Sequence, residues 1–110
     1  MIDWDRVLTL RDEVGAEDFD EVIELFLDEV DDAISELSKK ENQTDLEEKL
    51  HFLKGSALSL GFQHFSGLCQ AGETAVSKDA SSYVDVDEII RSYDQSRAIF
   101  VNEVSLKLAS

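Results

Sequence analysis

Proline is absent from all 110 residues, and cysteine, methionine and tryptophan occur once each. Without proline, nothing in the chain forces a helix to kink or stop, so long uninterrupted helices are open to it. The single cysteine, Cys69, excludes an internal disulfide and agrees with a reducing compartment. No apolar run approaches the roughly 18 residues that a membrane-spanning helix needs. The opening segment MIDWDRVLTLRDE lacks the basic-then-apolar layout of a secretory signal. These features lead us to expect a cytoplasmic protein. Bases are scarce too: 10 lysines and arginines face 25 acids, a formal net charge of −15. That balance argues against nucleic acid and anionic membrane as partners. No glycine-rich phosphate loop is present, so no nucleotide site is expected.

What the chain does have is helical periodicity. Its 110 residues suit a single domain with its own core. A short helix is expected over residues 3–13, with Asp3 as cap and Ile2, Trp4, Val7, Leu8 and Leu10 as contacts. Gly15 breaks that pattern. Residues 17–39 carry Phe19, Val22, Ile23, Phe26, Leu27, Val30, Ala33, Ile34 and Leu37 at three/four spacing. The opposite face holds Asp20, Glu21, Glu24, Asp28, Asp31 and Asp32, and reads as a solvated face. A polar connection follows, and Thr44 with Glu47 makes a capping box for a helix over residues 44–60. Gly61 stands where a left-handed cap would end it. Residues 63–77 form the next helix, with Phe65, Leu68, Cys69, Gly72 and Val76 as its buried stripe and Ala71 and Ala75 alongside. Asp85 and Glu88 cap a last helix over residues 85–108. Its stripe runs through Val86, Ile89, Ile90, Tyr93, Phe100, Val101, Val104 and Leu108, with Arg97 as the misfit, expected to snorkel to the rim. Four long amphipathic helices joined by short connections predict an all-α fold, an antiparallel up-down-up-down four-helix bundle with a short N-terminal helix.

Chemistry concentrates in Leu50–Gly61, LHFLKGSALSLG. Leu46, Leu50, Leu53, Ala57 and Leu60 make one buried stripe. At about 100° per residue, His51 falls roughly 140° from its centre. Gly55 and Leu58 share that outward side, and Lys54 lies at its border within side-chain reach of the histidine. A neutral imidazole is a nucleophile at neutral pH. Attack on phosphorus benefits from a nearby cation and an unobstructed approach. A mid-helix glycine costs about 1 kcal/mol relative to alanine, so Gly55 invites a reason. The surroundings also lack carboxylates: residues 1–50 hold 18 acids and 5 bases, residues 51–110 hold 7 and 5, and none of the acids lies between Glu48 and Glu73. A lone surface histidine or a helical glycine is ordinarily unremarked, and it is the fixed spacing of the set that points to a site. His64 has no ligand partner one turn on, and Cys69 falls on a buried stripe, so no metal site is expected.

The run His51-Phe52-Leu53-Lys54-Gly55-Ser56-Ala57, followed by Leu60-Gly61, resembles the signature of histidine-containing phosphotransfer domains. That signature is His-x-Leu-Lys-Gly-(Ser/Ala)-(Ser/Ala), then a hydrophobic residue and glycine. The resemblance implies that the short leading helix is a lid on a four-helix bundle, and that residues 63–77 share a docking surface with the histidine helix. It implies that His51 Nε2 takes a phosphoryl group from an aspartyl phosphate of one response-regulator receiver domain and passes it to another. Lys54 would steady the phosphoryl oxygens, and Gly55 would leave room. Many members have glutamine at the position matching Glu73. A carboxylate there would fix the ring tautomer, yet repel a phosphoryl group brought close; the other reading of Glu73 is a solvent-facing side chain. The expected partners are receiver domains or a hybrid histidine kinase. Mg²⁺ is expected on the receiver, with no cofactor, no kinase activity and a monomeric state for this chain. The alternative is a non-catalytic helical adaptor that binds a receiver or kinase without being phosphorylated.

Overall fold

The computed structural model describes residues 2–39, 46–78 and 84–108. Five helices account for nearly all of them: α1 (Trp4–Val14), α2 (Phe19–Ser38), α3 (Leu46–Leu60), α4 (Gln63–Ser77) and α5 (Val86–Leu108). Among the described residues there is no strand, only an isolated bridge between Ile2 and Phe62. Helix α3 packs against α2 and α4, and α5 packs against α4 and α2, so the four long helices close a ring. Helix α1 lies against α2 and α3. The molecule measures 45 × 22 × 20 Å.

Local chemistry sets where the helices begin and end. Asp3 accepts a hydrogen bond from the Arg6 amide at its Oδ1, 3.2 Å, and caps α1. Gly15 ends α1 at φ 90° and returns its N–H to the Arg11 carbonyl. Residues 16–18 then turn, with the Asp18 N–H on the Gly15 carbonyl, and α2 therefore starts at Phe19 rather than 17. The end of α3 is a Schellman turn. Phe62 N–H reaches the Ala57 carbonyl, Gly61 N–H reaches that of Leu58, and Gly61 stands at φ 74°. The Asp85 carboxylate accepts from the Glu88 amide, 3.0 Å, at the start of α5. Thr44, invoked as the cap of α3, lies outside the described residues.

Inside the ring, Leu46, Leu50, Leu53, Ala57 and Leu60 are buried, as are Ile23, Leu27, Val30, Ile34 and Leu37 from α2. Aromatic rings fill the end near α1: Phe62 contacts Tyr93 and Phe100, Phe65 contacts Tyr93, and Trp4 stacks on Phe100 at 5.8 Å. The side chain of Gly61 is a hydrogen for a second reason. A Cβ there would lie 2.5 Å from the Asp3 carbonyl oxygen, while the Gly61 carbonyl accepts the Asp3 N–H at 2.7 Å. The corner between α3 and α4 thus holds the start of α1.

Three expectations change in the structure. Arg97 does not merely reach the rim: its guanidinium grips both oxygens of Asp31 on α2, at 3.1 and 3.0 Å. Asp31 therefore leaves the solvated acidic face, and it also accepts the Tyr93 hydroxyl. Burial and the Asp31 carboxylate together raise the Tyr93 phenol well above its usual range. Val101 and Ala71, expected among core contacts, are exposed. Ser92 and Ser96 take the buried places on α5 instead.

Gly61→Ala should destabilise the protein by at least about 2 kcal/mol, from left-handed strain of about 1–2 kcal/mol plus the clash with Asp3. Tyr93→Phe, which keeps the ring and removes the donor to Asp31, should cost about 1 kcal/mol. Urea unfolding followed by circular dichroism measures both.

Candidate functional site

Helix α3 buries one stripe and turns His51 to the opposite side, where its side chain is 70% exposed. Helix α4 supplies the neighbour. Its Gly72 faces Leu50, and a Cβ on Gly72 would come within 2.9 Å of the Leu50 side chain. The missing side chain lets α4 approach α3 closely, and the next residue, Glu73, reaches the histidine. Glu73 Oε1 is 3.0 Å from His51 Nδ1. Glu73 Oε2 is 2.9 Å from Lys54 Nζ, an ion pair oriented off ideal hydrogen-bond geometry. Only 19% of the Glu73 side chain and 21% of the Lys54 side chain are exposed.

The two neighbours settle the charge state of Glu73. The Lys54 ammonium first, and the His51 ring second, hold the Glu73 carboxyl below its ordinary value, against a smaller opposing effect of burial. Glu73 is therefore a carboxylate at neutral pH, and a carboxylate can only accept hydrogen bonds. The ring nitrogen facing it must be the donor. A neutral His51 accordingly carries its proton on Nδ1, and its lone pair is on Nε2. The sequence leaves Glu73 divided between a ring contact and a solvent-facing side chain. The structure places it against the ring, and it places the Lys54 amine on Glu73 as well.

The space around the ring is open. A Cβ on Gly55, one turn after His51, would meet nothing within 4 Å. Gly55 is thus not a packing glycine like Gly72, because among the described residues its missing side chain admits no neighbour. Leu58 shares the outward side and is exposed, as is Phe52. The face around His51 combines a nucleophilic nitrogen, exposed apolar side chains, and a carboxylate matched by an ammonium.

The other candidates of the sequence are elsewhere. His64 Nδ1 is 2.8 Å from the Ser92 hydroxyl and ties α4 to α5. Cys69 is fully buried. Burial, and to a lesser degree the Glu73 charge, push its thiol up to about 12, so it stays protonated and unreactive. Among the described residues, no group of three or more His, Cys, Asp or Glu is placed to hold a metal ion. No helix among them is long and apolar enough to cross a membrane.

Comparison with curated proteins and with solved structures finds no match. The model of one protein family, described as the Hpt domain, matches residues 21–99. That span runs from the first turn of α2 to Ile99 within α5, and it contains His51, Lys54, Gly55 and Glu73. With most of its length so matched, the chain belongs to the Hpt domain family, the histidine phosphotransfer modules of two-component phosphorelays.

Proposed function

We infer that this chain is a phosphorelay intermediate in which His51 Nε2 accepts a phosphoryl group from an aspartyl phosphate on one receiver domain and passes it to an aspartate on another. What carries the reading is the ring itself: it is 70% exposed, with Nδ1 engaged by Glu73, which leaves the lone pair on Nε2. Gly55 gives a partner room to approach, and the exposed Leu58 and Phe52 give it apolar surface to rest on. Lys54, paired with Glu73, offsets the one carboxylate beside the ring, so an arriving phosphoryl group meets less repulsion there. Family members work with receiver domains and histidine kinases. The acidic pocket and Mg²⁺ for the reaction belong to the receiver, so this chain needs only to present its nucleophile in the right place.

The finer architecture belongs to the same reading. The four long helices run up-down-up-down, α1 lies as a lid at the Gly61 corner, and the chain works as a cytoplasmic monomer. It has no kinase activity and no cofactor of its own.

Incubation with a phosphorylated receiver domain should add one phosphoryl group to the wild-type chain, read by intact mass. His51→Ala should keep the helical circular dichroism spectrum and take up none. Uptake by His51→Ala would overturn the assignment, and a wild-type chain that binds the receiver without gaining mass would favour the adaptor reading. Gly55→Ala should raise stability by up to about 1 kcal/mol, since the added methyl meets open space. Gly55→Leu should slow transfer while leaving the fold intact.

A further inference from the structure

The two helices that flank α3 differ in charge. On the α4 side, Gln70 donates to the Thr74 hydroxyl at 3.1 Å, and neither is charged. The α2 side is acidic. Helix α2 carries eight acids and no lysine or arginine. Helical spacing shows which of them border α3. Asp31 faces α5 through Arg97, and α3 lies on the other side of α2. At about 100° per residue, Leu25, Glu29 and Asp32 fall roughly 100–160° round from Asp31, on the flank that leads to α3. All three are exposed, Leu25 by 58%. Asp28, one turn on from Leu25, is exposed as well. Across the groove, Phe52 lies roughly 160° round α3 from Lys54, which reaches α4. Phe52 therefore stands on the α2 side of His51, and it is 43% exposed. The half-buried Lys49 of α3 is outnumbered on this flank.

We propose that the receiver domain served by this chain carries lysine or arginine on one side of an apolar docking patch, and that Asp28, Glu29 and Asp32 around Leu25 select and orient it by charge. The inference rests on the reading that a receiver docks over His51. A specific interface covers about 800 Å² on each partner, and packed helices sit about 8–10 Å apart. A footprint centred on His51 therefore extends over the neighbours of α3. Phe52 and Leu25 give that footprint apolar contacts that continue from α3 onto α2. The carboxylates around Leu25 attract a cationic surface and repel an anionic one, so they act on encounter rate and on the choice of partner. The uncharged Gln70 and Thr74 on the α4 side exert no such pull. The difference between the flanks sets which way round a receiver lands, while the nucleophile itself stays clear of the acidic field.

The test pairs the chain with purified receiver domains of two kinds, with a cationic or an anionic surface beside the phosphoacceptor aspartate. Calorimetry reads binding. Intact mass reads transfer from chain labelled with phosphoramidate. At about 0.01 M salt the cationic receivers should bind about tenfold or more tightly than the anionic ones, and most of that advantage should go by about 0.15 M. Asp28→Asn/Glu29→Gln/Asp32→Asn should flatten the salt dependence and raise KM for transfer, with kcat and phosphoramidate labelling unchanged. Asp5→Asn/Asp12→Asn/Asp94→Asn removes as many charges from α1 and α5, and should leave affinity within about twofold. Leu25→Ala should weaken binding at every salt concentration. A wild-type affinity indifferent to salt, equal losses in the two triple variants, or a preference for anionic receivers would each overturn the proposal. Salt-sensitive binding of cationic receivers with no phosphoryl group ever gained by the chain would uphold the docking flank and overturn the proposed function instead.

Discussion

Leu50 packs where Gly72 has no side chain, and that contact governs the distance between α3 and α4. The two helices form the most extensive interface of the molecule. A larger residue at 72 would have to displace Leu50, which is completely buried in the core, and so the two helices are held close by what lies beneath the surface. The reach of Glu73 to His51 depends on it. A glutamate side chain spans only a few ångströms, so the ring contact exists because the backbones are near. The core therefore fixes the geometry of a site made wholly of surface-facing groups.

Charge distribution follows the same division. Most of the acidic excess lies in the first 50 residues, where eight of the 18 acids are on α2. The site contains one carboxylate, and an ammonium is paired with it. An anionic group can approach this face with less repulsion than the net charge of the chain suggests, because screening at physiological salt weakens fields beyond about 8 Å. Asp31 shows the other use of a carboxylate in this protein: with Arg97 and Tyr93 it joins α2 to α5, on residues outside the site.

Much of this was legible from spacing. The period of Leu46, Leu50, Leu53, Ala57 and Leu60 decides which way His51 faces, because helical geometry is local. Gly61 is legible as a cap for the same reason. The contacts that spacing within a helix cannot supply join distant positions, and Glu73 enters the sequence reading only through the family resemblance. His51 and Glu73 are 22 residues apart, and Arg97 and Asp31 are 66 apart. Such pairs depend on how two helices are set in register, which no pattern within one helix encodes. Arg97 looks like a misfit on an apolar stripe because its partner belongs to another helix. Ser92 and Ser96 escape notice because small polar residues carry no periodic hydrophobic signal.

The stacking of Trp4 on Phe100 has a practical consequence. The chain has a single indole, and it belongs to α1 while its ring partner belongs to α5. Intrinsic fluorescence excited at the indole band is thus a local gauge of whether the leading helix is seated, blind to events that leave that seat undisturbed. A spectroscopist working with this protein has a reporter for one joint of the scaffold already built in, with no label to attach.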